Sequence, residues 1–357
     1  MRKPGLTLGA LTLPFLAAAV VAAQSPRAVP RTADGHPDLQ GVYDLATLTP
    51  VERRAGTPLV LTDEEAKKLE QQVADRYAKA DAPIEANRAA PPKGGDGSPG
   101  PYGNVGGYNN FWLDPGSHYT VVDGQKRASL LIDPPDGRVP PYTADAQRRN
   151  AARRLATTSD QTSREDDPGF EGPNAYDDPE QRPLGERCLI GFGSTSGPPI
   201  LPTYFYNNLH QIVQTRDTVM ILTEMVHDVR VIRMNATHLP STMRKWLGDS
   251  VGRWEGDTLV VDTTNFTDKT RFRGSTADLH IVERFSRIDD QTLRYRFTIE
   301  DKNTWAQPWT GEYTWPATDD RVFEYACHEG NYGMANILRA QRMEEEKARQ
   351  GGGEATK

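Results

Sequence analysis

Leu293-Arg294-Tyr295-Arg296-Phe297-Thr298-Ile299-Glu300 alternates an apolar residue with a polar or charged one over its whole length. Successive side chains of an extended strand point to opposite faces, so Leu293, Tyr295, Phe297 and Ile299 share one face. Such a strand belongs to an antiparallel sheet packed on one side. Around it lie further strand-like runs at Leu209–Thr215, Val219–Val226, Arg230–Met234, Thr258–Thr264, Leu279–Ser286, Thr310–Trp315 and Val322–Cys327. Arg216-Asp217, Glu255-Gly256-Asp257 and Asp289-Asp290-Gln291 stand where hairpin turns are needed. An open sheet of this size would leave two edges to protect, so the expected fold is mainly β, an antiparallel meander closing into a barrel.

The remainder reads as peripheral helices and long loops. Pro37–Asp44 is a first strand, and short β runs are expected at Asn110–Leu113, Tyr119–Val122 and Ser129–Ile132. Thr62 and Glu65 form a capping-box pair, with Ala66, Leu69, Val73 and Tyr77 on one helical face. A polar helix is expected from Thr143 to about Leu155, and a short one carrying Met334, Ile337 and Leu338 after Gly330. The Gly- and Pro-rich stretch 91–107 is a connection. These signals divide the chain into a leader (1–23), an N-terminal strand, helix and linker (24–107), a β-rich domain (108–340) and a disordered tail (341–357).

The leader has the pattern of an export signal. Arg2 and Lys3 precede an apolar run, and Val21-Ala22-Ala23 supplies small residues before Gln24. No later segment approaches a spanning length, so a periplasmic or secreted location and no membrane span are expected. A net charge of −7 argues against a nucleic-acid partner. Zinc-finger spacing, a P-loop and a strand-linked GxGxxG are all missing, so no cofactor is expected. An exported chain with two cysteines, Cys188 and Cys327, is a candidate for one disulfide. The competing possibility is a reactive Cys327 beside His328.

Several motifs carry a family resemblance. They are Asp34-Gly35-His36-Pro37-Asp38-Leu39-Gln40-Gly41-Val42-Tyr43, Asp133-Pro134-Pro135-Asp136-Gly137-Arg138, the run from Gly248 through Gly252-Arg253-Trp254-Glu255-Gly256-Asp257 to Phe266, Leu279–Phe285, and Glu324-Tyr325-Ala326-Cys327-His328-Glu329-Gly330. With them the chain resembles an uncharacterised family of exported bacterial proteins, which implies export and a β-rich fold and brings no reaction. Gly41-Val42-Tyr43 is similar to the Gly-x-Trp opening of lipocalins, with Tyr for Trp, which implies a calycin-like barrel able to enclose one small ligand.

Polar groups inside apolar strands mark where chemistry would sit. Glu224 and His227 interrupt the run Val219–Val229, and a carboxylate or imidazole in low dielectric is a candidate acid or base. Alternation puts Glu224 and Asp228 on one face and His227 on the other; Glu224 paired with an arginine such as Arg284 is the plainer alternative. His280, at the start of its strand, is placed to look into a barrel mouth, and His328 follows Cys327. The candidate catalytic set is therefore His280, His328, His227 and Glu224, with no pair at the spacing of a helical metal site. Trp112, Tyr206, Asn208, Trp254 and Trp309 are candidate ligand-binding residues, since aromatics flanked by Asn can stack on sugar rings or line an apolar pocket; core packing is their alternative. Asp257 and Asp262 read as turn and strand-end residues. The function expected is a non-redox enzyme (hydrolase, lyase or isomerase) acting on a small organic or carbohydrate-derived substrate. The alternative is a non-catalytic periplasmic binding protein for an apolar or sugar-like ligand.

Overall fold

The structure, a computed structural model, describes residues 29–80, 113–156, 176–192, 196–204 and 206–354. The strands are β1 (Gly41–Asp44), β2 (Val121–Val122), β3 (Gln125–Lys126), β4 (Leu131–Asp133), β5 (Leu209–Gln214), β6 (Thr218–Thr223), β7 (Val229–Met234), β8 (Asp249–Glu255), β9 (Thr258–Thr264), β10 (His280–Arg287), β11 (Thr292–Glu300) and β12 (Trp309–Thr318). β1 and β5 to β12 pair in sequence into a mainly antiparallel sheet, and β1 closes it by bonding both β5 and β12. The molecule is thus a closed, nine-stranded β-barrel, with β4 alongside the first half of β12.

Three features depart from the expected meander. β8, absent from the expected strands, inserts after β7 and runs parallel to it, with Ile232 opposite Ser250 and Met234 opposite Gly252. A parallel neighbour needs a long crossover, and residues 235–248 supply it. Gly252 is required there, since a Cβ would meet the Met234 sulfur and Ile232 Cγ2. The expected last strand, Val322–Cys327, has no ladder partner among the described residues; the N-terminal β1 closes the barrel instead. β6 also stops at Thr223, because Val226 and His227 adopt left-handed φ values in a 3₁₀ turn, Met225–His227. Glu224, His227 and Asp228 therefore leave the strand rather than alternating along it.

The barrel interior is solid. Tyr43, Phe285, Tyr295, Phe297, Trp309, Tyr313 and Trp315 are all 0% exposed and pack on one another at tilted and edge-to-face angles. Phe297 lies against the bare backbone of Gly311, where any Cβ would collide with the ring. Ile200 enters from a loop, donating its N–H to the Tyr295 hydroxyl (2.9 Å) and accepting from that of Tyr313 (3.0 Å). Among these apolar groups sits one ion pair: Arg230 Nη1 and Nη2 donate to the two oxygens of Glu283, whose Oε1 also accepts from Tyr295 Oη at 2.8 Å. Leu39 and the Tyr43 hydroxyl, bonded to Leu39 O and to Arg287, cover one end.

Three helices lie outside the barrel among the described residues: α1 (Asp63–Ala80), α2 (Ala144–Ala156) and α3 (Tyr332–Glu354). The capping box forms as expected: Thr62 N–H donates to Glu65 Oε2 (2.9 Å) and Glu65 N–H to Thr62 Oγ1 (3.2 Å). Glu70 ties α1 to the β2–β3 hairpin by accepting from Lys126 Nζ (2.6 Å) and Tyr119 N–H (3.1 Å). α3 continues through much of the segment expected to be tail. No described helix is long and apolar enough to cross a membrane. Cys188 and Cys327 form the expected disulfide, with Cα atoms 5.7 Å apart, so Cys327 carries no free thiol.

Candidate functional site

On the outer face of the barrel, the alternation that sends Ile281 and Glu283 inward turns His280 outward, beside Asp262 of β9. Asp262 reaches both neighbours: its Oδ2 lies 2.9 Å from His280 Nε2 and its Oδ1 2.9 Å from His238 Nε2. His238 comes from the β7–β8 crossover, and its Nδ1 lies 3.1 Å from Asp249 Oδ2. Both ring nitrogens of His238 thus face carboxylates. Asp249 further accepts from Leu239 N–H (2.9 Å) and Arg233 Nη2 (3.0 Å), with Lys245 Nζ at 3.5 Å. The result is a line of alternating acids and imidazoles, Asp249, His238, Asp262 and His280, ending 3.8 Å from Glu300.

This arrangement sets the charges. The hydrogen bond that His280 makes to Asp262 raises its pKa above the ordinary imidazole value; burial opposes it, and the charges of Asp262 and Glu300 add to it. Burial pushes the Asp262 carboxyl up, but hydrogen bonds and charge from His280 and His238 outweigh it and hold the group below the usual carboxylate range. Asp249 is likewise held low, burial being outweighed by the Leu239 N–H, His238 and Arg233. His280 opens on a cleft of about 470 Å³ whose walls include Glu300, Ser241, Asn265, Arg244 and Lys302. Arg244 is fixed there by donating to Phe266 O (3.0 Å) and Ala277 O (2.6 Å). A polar cleft with an oriented imidazole in its wall can transfer protons to and from a bound molecule.

The other candidate residues do not join His280. Glu224 is 4% exposed and accepts the Phe323 N–H at 2.8 Å rather than pairing with Arg284, which binds Glu255. His227 is an exposed turn residue with Nδ1 2.9 Å from Tyr325 O, and His328 is exposed in the turn after the disulfide. Tyr206 stacks on Tyr325 beside the disulfide, so Glu224, His227 and Tyr206 all brace the segment 321–327. His280 itself faces outward from the sheet, not into a barrel mouth. Trp309 is core, packed on Phe272, Phe297 and Trp305, which corrects its candidacy as a ligand contact. Asn208 is buried too, with its amide donating to Asp114 O and accepting from Thr203 Oγ1. Trp254 stacks on His36 at 4.5 Å, and Trp112 lies outside the described residues.

His238, Asp249 and Asp262 were not among the candidates. Asp262 reads as a strand-end residue, and its polar side chain after Val260-Val261 was the one sequence signal available. His238 lies in an irregular crossover, and the long 265–279 connection hides the β9–β10 register. Among the described residues no cluster of His, Cys, Asp and Glu has the geometry to hold a metal ion. Comparison with protein-family models, with characterised proteins and with solved structures found no match.

Proposed function

We propose that the protein is an exported acid–base enzyme, a hydrolase, lyase or isomerase working without a redox cofactor, with His280 as its proton-transferring group. The observation that carries this is the 2.9 Å contact between His280 Nε2 and Asp262 at the wall of an open polar cleft. Asp262 fixes the ring orientation and stabilises its cationic form, leaving Nδ1 toward Glu300 and the cleft. An imidazole raised in this way stays protonated closer to neutral pH, so it can donate to a leaving group and, once neutral, take a proton back. The polar lining suits a small hydrophilic substrate. The packed lumen weighs against the alternative of a ligand carried inside the barrel.

The test is a panel of nitrophenyl esters, glycosides and phosphates assayed against the wild type, His280→Gln and, as a control, His227→Gln. Turnover should fall by about 10²-fold or more in His280→Gln and persist in the control. Turnover that survives His280→Gln would refute the assignment.

A further inference from the structure

A second cleft, of about 780 Å³, lies between α1, the β2–β3 hairpin and the β10–β11 turn. It belongs to neither the acid–base site nor the disulfide cluster. The eight residues of β10 separate its Ile288 wall from His280, roughly 25 Å at the usual rise per residue.

Its wall is apolar where a monomer would ordinarily be wet. Val73 and Tyr119 line it, as do Val121 and Ile288, each 43% exposed. Single exposed apolar residues are ordinary, but two that converge on one concave surface with an aromatic ring make a binding wall. The charged groups on the same cleft are mostly acids, Asp44, Glu70, Asp114, Asp123 and Asp289 against Arg294 and His118, the latter 3.7 Å from Glu70. Of its lining acids, Glu70 is neutralised by Lys126 and Asp123 by Arg294. Asp44, Asp114 and Asp289 also line it; each accepts one backbone N–H through Oδ1, from Ala46, Gly116 and Gln291 respectively. Among the described residues none of these three has a cationic partner. Asp44 is pushed above the usual carboxylate range, first by burial and then by Asp114, Asp320 and Glu224, all of its own sign. A half-buried carboxylate facing like charge, as Asp44 does, is relieved by a cation brought in from solution, and the exposed Asp114 stands beside it on the same cleft.

We propose that this cleft binds an amphipathic organic cation, a primary or substituted ammonium carried on an aryl or alkyl body. The ammonium lies against Asp44 and Asp114, and the body covers Val121, Ile288 and the Tyr119 ring, whose face favours a neighbouring positive charge. A neutral molecule of the same shape gains the apolar contact alone, and an anion meets three uncompensated carboxylates.

Titration of the full chain, followed by amide NMR and calorimetry, with phenethylammonium, 2-phenylethanol and phenylacetate tests this directly. The ammonium should bind saturably, about fivefold or more tighter than the alcohol, with the carboxylate weakest. Its shifts should centre on Tyr119, Val121 and Ile288. Asp44→Asn and Asp114→Asn should each bring the ammonium down toward the alcohol while leaving the alcohol unchanged. His280→Gln should bind all three as the wild type does, which separates this site from the acid–base reading. Equal affinity for ammonium and alcohol, no saturation by the ammonium up to about 10 mM, or ammonium binding indifferent to both Asp variants would each overturn the proposal.

Discussion

The Arg230–Glu283 pair offers the sharpest test of how the barrel is held together. Glu283 is 0% exposed and Arg230 5%, and Glu283 Oε1 takes both Arg230 Nη2 (3.0 Å) and Tyr295 Oη (2.8 Å). Arg230→Met keeps most of the side-chain volume but leaves a carboxylate in the lumen with a single neutral donor. Removing one partner of such a pair costs about 3–5 kcal/mol, most of it the burial of the orphaned charge. Arg230→Met/Glu283→Leu removes both charges; the main residual loss is the Tyr295 hydroxyl's acceptor, about 1 kcal/mol. The double variant should therefore be more stable than the single one. Guanidinium unfolding followed by tryptophan fluorescence measures this well, because Trp309 and Trp315 lie in the same lumen. A second readout is independent of stability: the Arg230 charge helps to depress His210, so His210 should titrate higher in Arg230→Met. A single variant within about 1 kcal/mol of wild type, or a double variant no better than the single, would refute the argument.

Two further outcomes are expected. The disulfide closes a loop with a sequence separation of 139, for which chain entropy gives about 5 kcal/mol, so Cys188→Ala/Cys327→Ala should unfold at clearly lower denaturant; an unchanged midpoint would contradict this. The pH dependence of stability should contain two opposed contributions. Burial pushes His210 down to about 4 from 6.5, so the folded state binds fewer protons and stability falls as pH drops from 6.5 to 4. Burial raises Asp228 from 3.8 to about 6, despite its hydrogen bonds from Ser196 and Gly191, so its contribution is present below pH 3.8 and lost as pH rises through 6. Asp228→Asn should make acid lability between pH 6 and 4 steeper; unfolding midpoints with the wild-type slope would sink the Asp228 half of this account.

Much of the barrel was legible because its signals are local. The alternation in β11, the turn residues between β5 and β6 and between β10 and β11, and the Thr62–Glu65 box all act within a few residues of themselves. The site was legible only in part. His280 was visible as an imidazole at a strand start, but its value comes from Asp262 and His238. The β9–β10 register and the crossover bring those partners close, and neither has a sequence signature.

Local patterns along the chain are enough to make it β-rich, with an apolar strand face to bury and two cysteines to join. These follow from the period of a strand and from composition, properties of short segments. Long-range pairing, by contrast, makes the chain's own N-terminal strand close the barrel and sets β7 and β8 parallel. It also put Trp309 in the core and Asp262 between two histidines. Those outcomes depend on which distant strands pair and in what register, and pairing energies between residues far apart in the chain are fixed only when the whole sheet closes.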